Sequence, residues 1–186
     1  QKEKIKKGEY LDKTKKIYIF QHFGLGDFLS CKGLLKYMIE KKKFGISELN
    51  LFVPINHYEN IKFLYEDLKN VNLIKVRDEK GAIKFFRNKK KINYNLELIE
   101  IGHSNFHKTI KSKLEFEEYT TDMVFYKQFD VPYKFRFEYG KWKRNIIEEE
   151  RVFQKLNPHK KKYIFVHDDP SRNLIIKEKD LNLRDK

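Results

Sequence analysis

The turn Gly24-Leu25-Gly26-Asp27 is the first stretch of this sequence whose residue types and spacing suggest chemistry. It separates an apolar run from a helical pattern, and the two glycines would allow a tight turn with positive φ and close approach of a ligand. Asp27 falls at the start of the helix, where two roles stay open. It is either an N-cap that accepts hydrogen bonds from helical amides or a base that accepts a proton from a substrate hydroxyl.

The turn does not match the common nucleotide-binding loops. The pattern GxGxxG would need a third glycine where this chain has Leu29, and the phosphate loop GxxxxGK[ST] is also absent from this turn. His22, which precedes the glycines, would either orient a substrate or pack within the loop.

A second polar loop, His167-Asp168-Asp169-Pro170-Ser171-Arg172, follows the apolar run 163–166. Adjacent carboxylates need solvent, a partner or a ligand, and Arg172 would either pair with them or hold a phosphate or a sugar. A metal ion at Asp168 and Asp169 would need further acidic ligands, and the next acidic residue is Glu178. No metal site is therefore predicted.

The elements that must position these loops alternate along the chain. Apolar runs predict strands near 16–21, 49–53, 71–76 and 96–101. Apolar residues at helical spacing predict helices over 28–42, 61–68, 81–88, 106–130 and 147–156. This alternation predicts an α/β fold, a Rossmann-like parallel sheet with flanking helices. In such sheets ligands bind beyond the carboxyl ends of the strands, where both polar loops would lie.

The composition changes along the chain and suggests four parts. We expect a charged arm over 1–14, a Rossmann-like domain over 15–136, a connector over 137–145 and the start of a second α/β domain over 146–186. A lone strand and helix cannot form a core, so the chain is expected to be part of something longer. The stretch 133–144, YKFRFEYGKWKR, would be either an extended connector packed by its rings or a strand on which RNA bases stack.

The charge is strongly positive, with 41 Lys and Arg against 27 Asp and Glu and a formal net charge of +14. Clustered cations bind nucleic acid by releasing counterions from its phosphates. The cations here are mostly lysines in short scattered runs, and Arg, which makes bidentate phosphate contacts, is scarce. A solvated Lys-rich surface is therefore favoured over a nucleic-acid interface.

Cys31 is the only cysteine, so no intramolecular disulfide forms and a reducing compartment fits. We expect it to act as a small apolar residue on a helix. No apolar run reaches the roughly 20 residues that a membrane-spanning helix needs. These features suggest a cytoplasmic protein.

Three segments resemble one group of proteins: HFGLGDFLSCKGLLKYM (22–38), FYKQFDVPYKFRF (125–137) and YIFVHDDPSRNLII (163–176). They are similar to glycosyltransferase-like proteins of the two-domain GT-B architecture, distantly similar to the heptosyltransferases of lipopolysaccharide synthesis. The resemblance implies that 15–136 is the acceptor-side domain and that Asp27 is the catalytic base. It further implies substrate-binding roles for His22, Gly24, Gly26, His167, Asp168, Asp169 and Arg172.

The resemblance also implies an enzyme that needs no metal or cofactor and uses a nucleotide-sugar as donor and a glycan-type acceptor. Such an enzyme would act with peripheral membrane contact at most, and this chain alone would be inactive. The alternative is a non-catalytic basic α/β domain that binds nucleic acid or glycans.

Overall fold

The structure, a computed structural model, describes residues 16–41, 45–46, 48–102 and 119–163. The chain divides into two compact units, Gln1–Lys143 and Arg144–Lys186, which we describe separately. Almost all of the described core belongs to the first unit.

The first unit contains an all-parallel sheet, as predicted. Its strands within the described residues are β1 (Lys16–Phe20), β2 (Leu49–Pro54), β3 (Val71–Val76) and β4 (Leu96–Glu100), in the spatial order β3-β2-β1-β4. β1 pairs in parallel with both β2 and β4. All four strands were predicted to within one or two residues, because buried parallel strands are continuous apolar runs bounded by turns.

Helices cover both faces of this sheet. They are α1 (Leu25–Glu40), α2 (Tyr58–Tyr65) after a 3-10 turn (Ile55–His57), α3 (Glu79–Ile92), α4 (Thr121–Gln128) and α5 (Phe135–Tyr139). Alternate side chains of β1 divide between the two layers: Ile17 and Ile19 join the core under α1, α2 and α4, while Tyr18 and Phe20 join the core under α3. The α/β prediction is confirmed at this level.

Helix α3 is longer than the predicted 81–88 at both ends. Asp78 caps it, since its Oδ1 accepts a hydrogen bond from the amide of Gly81 at 2.7 Å. At the other end Lys89 and Lys90 continue the helix with their ammonium groups above the rings of Phe85 and Phe86. The charged tail, which has no apolar periodicity, is thus held by these cation–ring contacts and by the favourable helix dipole.

The prediction of an extended segment over 133–144 is wrong in its middle, because Phe135–Tyr139 form helix α5. Phe135 and Tyr139 lie four residues apart, so one helical turn brings both rings to Tyr37 of α1, at centroid distances of 4.6 and 5.3 Å. Packing against α1 therefore decides the conformation of this aromatic segment. The predicted helix over 106–130 is seen from Thr121 to Gln128, and residues 103–118 lie outside the described part.

The second unit is described from residue 144 to 163 and contains helix α6 (Ile146–Leu156). Asn145 caps α6 by accepting a hydrogen bond from the amide of Glu148 at 3.1 Å. The ring of Tyr163 lies 5.9 Å from that of Phe153. The strand predicted from residue 163 onward lies outside the described residues apart from Tyr163, and the four-part domain division stays a prediction.

Candidate functional site

The order of the strands defines a topological switch point at the carboxyl edge of the sheet, and the surface between the loops there is called the crevice below. From β1 the chain passes outward through β2 to β3, and β4 then returns to pair on the other side of β1. Strands are therefore added on one side of β1 first and on its other side afterwards, and ligands of open α/β sheets bind at such a switch point. The loop from Gln21 to Gly24 follows β1, and Ile101 and Gly102 follow β4, so both loops border this crevice.

Asp27 lies on the first turn of α1 but is not its N-cap. The N-cap is Gly24, whose carbonyl accepts hydrogen bonds from the amides of Asp27 at 3.0 Å and Phe28 at 3.3 Å. Asp27 is therefore the third helical residue, and the N-cap role considered for it is wrong. Its half-buried carboxylate lies close to the N-cap, because a Cβ added at Gly24 would come within 2.6 Å of Asp27 Oδ2. This places a negative charge at the favourable positive end of the helix dipole.

The two glycines of the loop do not have the positive φ that was expected. Gly24 has φ −69° and ψ 138°, which any residue adopts, and Gly26 is not among the glycines with positive φ. The lack of a side chain matters at Gly24, because a Cβ there would collide with the Asp27 carboxylate. At Gly26 a Cβ would meet no atom within 4 Å. Gly26 thus adjoins open space beside the first turn of α1.

Two buried tyrosines fix the first turns of α1 from different elements. Tyr65 of α2 donates its hydroxyl to the carbonyl of Phe28 at 2.8 Å, and Tyr126 of α4 donates to the carbonyl of Ser30 at 2.9 Å. Burial raises the pKa of both phenols well above the usual range, so both remain donors. These tyrosines hold the helix that carries Asp27, and sequence reasoning missed them because they resembled ordinary core aromatics.

His22 packs within the crevice wall. Its ring stacks on Phe125 at a centroid distance of 5.9 Å. Gly102 has φ +74°, and a Cβ there would lie 2.7 Å from the His22 ring, so only glycine fits beside it. The side chain of Gln128 fixes the end of β4. Its Oε1 accepts a hydrogen bond from the amide of Gly102 at 3.0 Å, and its Nε2 donates one to the carbonyl of Glu100 at 2.5 Å. The packed-loop interpretation of His22 is thus the one that the geometry favours.

Gln21 is the polar residue at the end of β1 that sequence reasoning missed. It is 0% exposed, yet neither its Oε1 nor its Nε2 has a hydrogen-bond partner among the residues that the structure describes. Buried amides without partners are rare because desolvation is unfavourable. A glutamine that ends an apolar strand just before a glycine turn is the sequence signal that could have identified it.

Cys31 is fully buried on α1, as expected for a small apolar residue. Burial, followed by the negative charges of Asp27 and Asp122, raises the pKa of its thiol well above the usual value. The thiolate is therefore disfavoured, and Cys31 is not suited to act as a nucleophile.

The second predicted loop, containing His167, Asp168, Asp169 and Arg172, lies outside the described residues. Its relation to Asp27 stays a prediction. In the part of the chain that the structure describes, no group of three or more His, Cys, Asp or Glu side chains is placed to hold a metal ion. No helix of that part is long and apolar enough to cross a bilayer.

A cavity of about 300 Å³ opens beside α4, away from the glycine turn. Its lining combines tyrosine rings with one lysine and one aspartate: Tyr119, Tyr126, Tyr133, Lys127 and Asp130. None of the residues of the β1–α1 loop contributes to it. The switch point at the carboxyl edge is the stronger site candidate because it places the Asp27 carboxylate beside the open space at Gly26.

Comparisons with known proteins found no matching family model, no matching curated protein and no matching solved structure. The class that the structure itself defines is a Rossmann-like α/β fold with flanking helices.

Proposed function

We propose that this chain is the acceptor-side part of a GT-B-type glycosyltransferase and that Asp27 is its base. The observation that carries the proposal is the position of the Asp27 carboxylate. It lies half-buried on the first turn of α1, at the carboxyl edge of β1 and beside the open space at Gly26. The local resemblance of 22–38 to such enzymes is the second support.

In the proposed reaction, an acceptor hydroxyl oxygen attacks the anomeric carbon of a nucleotide-sugar. The bond from that carbon to the diphosphate oxygen breaks, and its electron pair leaves with the nucleoside diphosphate. The hydroxyl proton passes to the Asp27 carboxylate as the new glycosidic bond forms. General-base assistance of this kind is worth about 10²–10⁴-fold.

The side chain of Gln21 is 0% exposed, so we do not count it among the substrate contacts. The substrate contacts proposed for His167, Asp168, Asp169 and Arg172 would serve the donor side.

The class is tested by incubating the natural protein that carries this chain with a panel of nucleotide-sugars and glycan-type acceptors. The measured quantity is release of nucleoside diphosphate together with the mass of the glycosylated product. The proposal predicts acceptor-dependent release that persists as salt is raised. If the chain is instead a nucleic-acid-binding domain, no release occurs and binding to DNA or RNA falls steeply between about 50 and 200 mM salt.

A further inference from the structure

Helix α3 presents a concentrated positive charge to solvent. Of its fourteen residues six are Lys or Arg and one, Glu79, is acidic, and all seven are exposed. Four of the cations recur at intervals of four, three and four residues, which places them on one face: Lys80, Lys84, Arg87 and Lys91. The opposite face is already occupied, since Ala82 and Phe86 are buried against the sheet.

Two apolar side chains lie in the open at the end of this helix. Ile92 is 85% exposed, and Tyr94, two residues further, is 83% exposed. They are among the most exposed large apolar side chains of the described residues, and they follow directly on the basic run Lys89, Lys90 and Lys91. Isolated exposed apolar residues need no explanation, but this pair adjoins a helix with six cations, and clusters of about four to eight Lys or Arg on a helix are typical of surfaces that bind anionic lipid.

We propose that the α3 face, defined as Lys80, Lys84, Arg87, Lys91, Ile92 and Tyr94, docks on an anionic lipid surface. Charge complementarity identifies the occupant: lysines near a negative bilayer are each attracted to it. Ile92 would enter the boundary between headgroups and acyl chains, and Tyr94 has the apolar ring and polar tip that suit this boundary. The phosphates of a nucleic acid would also pair with these cations, but Ile92 would then have no apolar contact.

The docked face leaves the crevice open. α3 connects β3 to β4 in a parallel sheet, so it starts at the carboxyl edge and ends at the amino edge. Ile92 and Tyr94 therefore lie at the edge opposite to Asp27. The inference is independent of the proposed function, because it uses no residue of the crevice.

The test is co-sedimentation of the 186-residue chain with vesicles of phosphatidylcholine alone, or of phosphatidylcholine and phosphatidylglycerol in equal parts. We expect binding to the mixed vesicles and little to the neutral ones. A triple variant, Lys84→Gln with Arg87→Gln and Lys91→Gln, should lower partitioning on the order of 100-fold, about five-fold for each cation removed. The matched control is Lys41→Gln with Lys62→Gln and Lys69→Gln, which removes three exposed cations from the α1 and α2 side of the sheet and should lower partitioning much less.

The apolar pair is tested separately by Ile92→Ser with Tyr94→Ser, which keeps every charge. This variant should partition about ten-fold less than the parent, because burial of such side chains is lost. Equal losses in the two triple variants would overturn the proposal, since they would show diffuse attraction without a docking face. Unchanged partitioning of the serine variant, or binding to DNA or RNA in place of vesicles, would overturn it as well.

Discussion

At the scale of single residues, α1 is held by two tyrosine hydroxyls and not by the N-cap that the sequence suggested at Asp27. Asp27 is three residues past Gly24, and sequence alone does not decide which residue of such a turn supplies the first helical carbonyl. The structure assigns that position to Gly24, so Asp27 is not the N-cap of α1. Tyr65 and Tyr126 hold the start of α1 by donating hydrogen bonds to two of its backbone carbonyls.

These phenols make the stability of the protein sensitive to alkaline pH. Both pKa values are raised in the folded state, chiefly by burial, so their contribution is complete below about pH 10, where free tyrosine begins to ionise. Above that pH the unfolded chain releases protons that the folded chain retains, and stability is lost at about 1.4 kcal/mol per pH unit for each tyrosine.

Replacing Tyr65 or Tyr126 by Phe should therefore destabilise the protein by about 1 kcal/mol each at neutral pH, through the lost hydrogen bond. The difference from wild type should vanish at about pH 11, because the variants lack the ionisable group. Urea denaturation at the two pH values measures this, and Tyr94→Phe, at an exposed tyrosine, is the control. If the variants were less stable than wild type by the same free energy at both pH values, the raised pKa of these tyrosines would be contradicted.

At the scale of elements, α1 contains two glycines with opposite surroundings. A Cβ at Gly26 would meet nothing within 4 Å, whereas a Cβ at Gly33 would lie 2.6 Å from the carbonyl oxygen of Phe135 and 2.9 Å from the Cα of Arg136. The close approach of α5 to α1 depends on Gly33, because its neighbours there are backbone atoms that cannot move aside.

Gly33→Ala should therefore destabilise the protein by about 1–3 kcal/mol, as overpacking usually does. Gly26→Ala should leave stability unchanged or raise it by up to about 1 kcal/mol, since Ala is the better helix former. If the space beside Gly26 receives the acceptor, the same change should lower turnover of the natural protein. Thermal melting and nucleoside diphosphate release measure the two effects, and a Gly26→Ala variant that melts early would show that the space is not open.

The elements differed in how far the sequence could predict them. β1 to β4 were predictable because strands buried on both faces are apolar throughout, and their alternation with helices determines a parallel sheet. Helix α5 was not predictable, because its aromatic and basic residues suit a stacking strand equally well until Tyr37 and Gly33 of α1 are placed beside it. The long-range contact decides between conformations that local propensity leaves equal.

At the scale of the whole molecule, the strand order β3-β2-β1-β4 places the glycine turn at a topological switch point of the sheet. The sequence showed that the turn followed a strand, but only the pairing of β4 with β1 places it at a switch point. The position of Gln21 could be read from the sequence, but its burial without hydrogen-bond partners could not, since that depends on the packing around it. The loop at 167–172 remains a prediction that rests on the local resemblance.

The central claim, that Asp27 is the base of a glycosyl transfer, is tested most directly by Asp27→Asn in the natural protein. Asn keeps the shape but does not accept the proton, so nucleoside diphosphate release should fall by about 10²–10⁴-fold. Stability should change by no more than the dipole contribution of about 0.3–1 kcal/mol. Asp78→Asn, which alters an aspartate at the start of α3, is the matched control and should retain full turnover. Undiminished turnover in Asp27→Asn would contradict the claim and would direct the search for the base to His22 or Asp168.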